Sequence, residues 1–84
     1  MVNPYEDDGD IRTFSSDVLI EELVWHRDKS NRTITILEGT GWCFQRDNEL
    51  PVALTPGDTL DIRAYEYHRI IKGKTNLKIK IKEY

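Results

Sequence analysis

The chain has 84 residues, 12 basic and 15 acidic, for a net charge of −3. That length makes one domain with a modest core, and the acidic balance argues against a dedicated nucleic-acid binder, which carries a basic footprint. No apolar run approaches the roughly 18–20 residues that cross a bilayer, the acidic N-terminus holds no apolar signal core, and Cys43 is the only cysteine; the expectation is a cytoplasmic protein with neither nucleic-acid nor membrane partners.

Residues 1–10, with Asn3-Pro4 and the acidic run Glu6-Asp7-Asp8-Gly9-Asp10, read as a flexible arm, and residues 11–84 as the folded domain. Ile11–Ser15 reads as a short strand, and Val18–Leu23 has room for one helical turn before the chain extends again at Val24-Trp25-His26. The pattern is β from there on. Thr33–Leu37 is rich in β-branched residues. After the glycine turn at 38–41 come Trp42–Gln45 and, past Asp47-Asn48, Leu50–Leu54. Thr55-Pro56-Gly57-Asp58 is a turn, with Asp58 fixing it. Thr59–Arg63 and Tyr67–Ile71 follow, then a turn at 73–76.

The last segment is the clearest: Leu77, Ile79 and Ile81 alternate with Lys78, Lys80 and Lys82. A period of two places one face in the core and one in water, and lysines on such a strand also guard a potential sheet edge. About eight short strands separated by turns predict an all-β sandwich or barrel, with Leu60, Ile62, Ile70, Leu77, Ile79 and Ile81 sharing one core.

Two segments together resemble the cupin family. Its second motif reads Gly, five residues, Pro-x-Gly, two residues, His, three residues, Asn. Here Gly57 and His68 keep that spacing, with Arg63 for the proline, Tyr65 for the glycine and Lys72 for the asparagine. The first motif reads Gly, five residues, His-x-His, three or four residues, Glu, six residues, Gly. His26 and Gly39 match it, while Ile20 replaces the first glycine, Asp28 the second histidine and Arg32 the glutamate. The resemblance spans about Val24 to Ile81 and implies a small cupin-type β-barrel, a double-stranded β-helix or jelly roll, like the short single-domain cupins of bacteria and phages.

It also implies a site. Residues two apart on a strand share a face, so His26 and Asp28 point together into the barrel, where His68 meets them from a neighbouring strand. Two imidazoles and a carboxylate form a facial triad that suits Fe(II) and accepts Mn, Ni or Zn. Arg32 cannot bind metal; beside one it clamps a ligand carboxylate or phosphate, whereas paired with Asp28 it marks a barrel without metal. Glu66, on the parity of His68, is a rim candidate for substrate contact. Cys43, between Trp42 and Phe44, reads as a packing residue. Trp25 and Arg27 face away from His26, and a large aromatic on an outer face predicts a homodimer.

Two functions follow. One is a metal-dependent cupin binding a small polar or anionic molecule, an oxygenase or isomerase in its enzymatic form, with His26, Asp28 and His68 on the metal and Arg32 and Glu66 on the substrate. The other is a non-catalytic, metal-free module that binds sugar or mediates dimerisation.

Overall fold

The protein is described by a computed structural model over residues 4–84. Eight strands form: β1 (Tyr5–Asp8), β2 (Ile11–Phe14), β3 (Arg32–Glu38), β4 (Cys43–Arg46), β5 (Val52–Ala53), β6 (Thr59–Ile62), β7 (His68–Ile71) and β8 (Leu77–Glu83). The helical turn expected between Val18 and Leu23 is a single 3-10 turn at Ile20–Glu22. One antiparallel sheet has the order β1-β2-β8-β3-β6 and the other β5-β4-β7. No helix among the described residues is long and apolar enough to cross a membrane.

Two local expectations are corrected. The lysine-bearing strand β8 is not an edge; it is the centre of the larger sheet, paired with β2 on one side and β3 on the other. Its alternation holds, with Leu77 and Ile79 buried and Lys80 and Lys82 exposed, so the lysines solvate the outer face. The edges are instead β6 and β1, the latter within the segment expected to be a flexible arm; Met1–Asn3 lie outside the described residues. Tyr5–Asp8 pairs residue by residue with β2. Arg12 donates to both carboxylate oxygens of Asp7 at 2.8 and 3.1 Å, and the Tyr5 ring meets Phe14 edge-on at 5.4 Å. These cross-strand pairs supply what the acidic composition lacks.

The two sheets enclose one core. Phe14, Ile34, Ile36, Ile62, Leu77 and Ile79 come from the larger sheet and Phe44 from the smaller, joined by Val18, Trp42 and Leu54 from the connections. Leu60, Ile70 and Ile81 pack against it from partly buried positions, so all six expected core residues contribute. Trp42 is fully buried, and its indole N–H donates to the Thr75 carbonyl at 2.6 Å. A side chain at Gly39 would put its Cβ 2.8 Å from Leu77 Cδ1, and the backbone there has φ +148°, a region open essentially to glycine. Asp58 fixes its turn as expected, accepting from the Thr55 amide at 2.9 Å.

Candidate metal and ligand site

The site lies where the segment around residues 24–31 is stitched to residues 63–68. His26 and His68 form an isolated antiparallel bridge, exchanging backbone hydrogen bonds of 3.0 and 2.9 Å. Directly opposed residues in such a pair project to the same side, so this bridge brings the two imidazoles together, with ring centroids 4.4 Å apart. Asp28, two residues beyond His26, falls on the same side; its carbonyl accepts from the Tyr65 amide at 2.7 Å. Asn31 closes the stitch, accepting from the Ala64 amide at 2.9 Å.

The ring orientations are set by the backbone. His26 Nδ1 lies 3.0 Å from the Val24 carbonyl and His68 Nδ1 lies 2.8 Å from the Glu66 carbonyl. A carbonyl only accepts, so in each ring Nδ1 carries a proton and Nε2 is the nitrogen left for a ligand. Holding one ring nitrogen in this way fixes the tautomer of metal-binding histidines. His68 is 4% exposed. Its burial pushes the imidazole below its ordinary pKa; the Glu66 carbonyl and the Asp28 and Glu66 carboxylates oppose that shift and His26 adds to it.

The donor atoms of His26, Asp28 and His68 all lie within 4.8 Å of one another, a group able to hold a metal ion. Three ligands ~2.1 Å from one ion, at tetrahedral to octahedral angles, stand about 3.0–3.4 Å apart. The His68 Nε2 to Asp28 Oδ2 distance is already 3.4 Å. With His68 neutral both atoms offer lone pairs to the space between them, an arrangement that a cation relieves. Asp28 Oδ2 is buried without a hydrogen-bond partner. The donor set therefore fits a divalent ion.

Arg32 reaches the same space. Its Nη1 is 3.4 Å from Asp28 Oδ2 and its Nη2 is 3.4 Å from Glu83 Oε1. The contact with Asp28 is too loose to satisfy that oxygen, and Arg32 Nε is likewise buried without a partner. Both terminal nitrogens of Arg32 thus stand beside carboxylates, and Nε is its nitrogen buried without a partner. Glu66 needs a correction: its carboxylate is taken by Arg46 and also accepts from the Arg63 amide, and it does not line the cavity. What Glu66 gives the site is its backbone carbonyl.

These groups open on a cavity of about 350 Å³ whose other walls are largely apolar, including Phe14, Ile36, Phe44, Leu54 and Leu77. Arg12 and Glu22 also reach it. Sequence reasoning missed both, since Glu22 arrives on the 3-10 turn and Arg12 on a strand whose neighbours are set by long-range pairing. Cys43 is half-buried between the buried Trp42 and Phe44. On the outside, Trp25 is 40% exposed beneath the Arg69 guanidinium, 4.8 Å from its ring centre.

No protein-family model matches the chain. No curated protein matches its sequence. Among solved structures, the crystal structure of protein NMB1881 from Neisseria meningitidis resembles it with a TM-score of 0.59 and 10% identity, over 94% of this chain and 78% of that one. At that identity the likeness establishes a shared fold and nothing about the site.

Proposed function

We propose that the chain is a small cupin whose cavity binds a small anionic molecule with the help of a divalent metal held by His26, Asp28 and His68. The observation that carries this reading is the His68 Nε2, left over once Nδ1 is bonded to the Glu66 carbonyl, facing the partnerless Asp28 Oδ2 at 3.4 Å. The family reading draws further support from the backbone of Tyr65, which stands at the second motif's glycine and has φ +64°. A non-glycine residue costs about 1–2 kcal/mol in that conformation. An ion of the Fe, Mn, Ni or Zn kind on two imidazoles and a carboxylate retains open positions and acts as a Lewis acid on what binds there. The chain's own part is to keep both rings oriented through the Val24 and Glu66 carbonyls and to place Arg32 beside the incoming anion. A cytoplasmic setting keeps the Cys43 thiol reduced.

The test is a calorimetric titration of Mn(II) or Ni(II) into protein made without a metal-affinity tag and stripped with chelator. One ion per chain is expected. Arg32→Glu, which restores the family's glutamate and removes a cation from the site, should tighten binding by about tenfold or more, within the range of effects from residues around metal sites. No heat from either protein would overturn the metal reading, and equal affinities would place the bound ion away from Arg32 and overturn the site.

A specific surface favours a second copy of the chain as partner. Trp25, Tyr65 and Tyr67 are exposed on the outer face, with Arg69 over Trp25 and Arg27 5.2 Å from the Tyr67 ring centre. Trp, Tyr and Arg are the residue types that dominate interface energetics. We infer a homodimer that covers Trp25. Light scattering at high protein concentration should report twice the chain mass, and a monomer there rejects it.

A further inference from the structure

We propose that the ligand is an apolar monocarboxylic acid: one carboxylate head on a hydrophobic body about the size of an aromatic ring and a short linker. This rests on the reading of the cavity as a ligand site, and it names the ligand class. Among the described residues, two buried side-chain polar atoms lack a hydrogen-bond partner, Asp28 Oδ2 and Arg32 Nε. Both side chains line the same cavity, and they have opposite needs. The carboxylate oxygen calls for a cation and the guanidinium N–H for an anion. A carboxylate head between the metal position and Arg32 answers both at once, and charge-assisted bonds of this kind are the stronger ones.

The rest of the cavity asks for the opposite chemistry. Ile36, Phe44 and Leu77 are at most 2% exposed and form part of its wall, with Leu54 and Phe14 beside them. A sugar placed there would bury hydroxyls against hydrocarbon, at about 1–3 kcal/mol for each one left unpaired. Apolar surface entering the same space is favourable. The remaining charged groups give no second anion site: Arg12 is held by Asp7 at 2.8 Å, and Glu22, lining the cavity from an exposed position, repels a second carboxylate. Size agrees as well. A cavity of about 150 Å³ admits benzene, and this one is about 350 Å³.

The experiment measures binding of phenylacetate, acetate, 2-phenylethanol and glucose by calorimetry, each to chelator-stripped protein and to protein loaded with Mn(II). Phenylacetate should bind at least about tenfold more tightly than the other three. Arg32→Gln should erase its advantage over 2-phenylethanol. Leu54→Phe, which puts a ring into the space for the body, should weaken phenylacetate without affecting acetate. Thermal melts establish that both variants fold; if one does not, the other decides. Acetate or glucose binding as tightly as phenylacetate overturns the proposal, and so does the absence of binding by any probe. If phenylacetate is preferred but Mn(II) does not bind, the metal reading falls and the ligand class stands on Arg32 and the apolar wall alone. If Mn(II) binds and phenylacetate has no advantage, the metal reading stands and this inference falls.

Discussion

Trp42→Ala should cost a large share of the protein's stability. The side chain is fully buried, packs 6.0 Å from the Phe14 ring centre and bonds to Thr75 through its indole N–H. Truncating a buried Trp to Ala costs about 3–5 kcal/mol through lost burial and the cavity left behind, and here it also orphans the Thr75 carbonyl. Typical stability is about 0.05–0.15 kcal/mol per residue, or roughly 4–13 kcal/mol for a chain of this length, so the substitution removes about a quarter of that or more. In a domain this small each kcal/mol moves the midpoint by about 4–8 °C, and thermal unfolding followed by circular dichroism should show a drop of more than about 10 °C. Trp42→Phe keeps most of the packing and should lose far less. A shift of only a few degrees for Trp42→Ala would mean that the core is not organised around this residue.

The second large effect is on metal-induced stability. A ligand that binds only the folded state, at one hundred times its dissociation constant, adds about 2.7 kcal/mol. For this chain that corresponds to a rise of about 10–20 °C in melting temperature. Asp28→Asn should abolish the rise, because it exchanges the charged donor for a neutral amide of the same shape. It should leave the metal-free protein within about 1 kcal/mol of the parent, since the lost carboxylate oxygen has no hydrogen-bond partner there and Arg32 retains Glu83 at 3.4 Å. Differential scanning calorimetry with and without Mn(II) measures both quantities. Equal metal-induced shifts in the parent and Asp28→Asn would remove Asp28 from the site. Asp28 is the better probe than His68, because truncating a ring buried against Phe44 at 5.6 Å between ring centres confounds packing with ligation.

The part of this protein legible in the sequence is what local period and residue type control. The alternation at 77–82 marks a strand with one wet face, the β-branched run at 33–37 marks another, and the parity of His26 and Asp28 puts both side chains on one side. Each depends on backbone geometry over a few residues, so no knowledge of partners is needed. Tertiary structure alone decided which strand lies at an edge, because β8 is central only by virtue of β2 and β3 lying on either side. The same holds for the acidic segment at Tyr5–Asp8, which becomes a strand because Arg12 and Phe14 stand opposite it. The site divides in the same way. Residue types point to three donors, one guanidinium and Glu66, but the Glu66 carboxylate is engaged by Arg46, 20 positions away, and Arg32 is drawn toward Glu83, 51 positions away. Which lone pairs remain free, and which apolar side chains wall the space they face, follow from contacts between residues distant in sequence, and local periodicity carries no information about those.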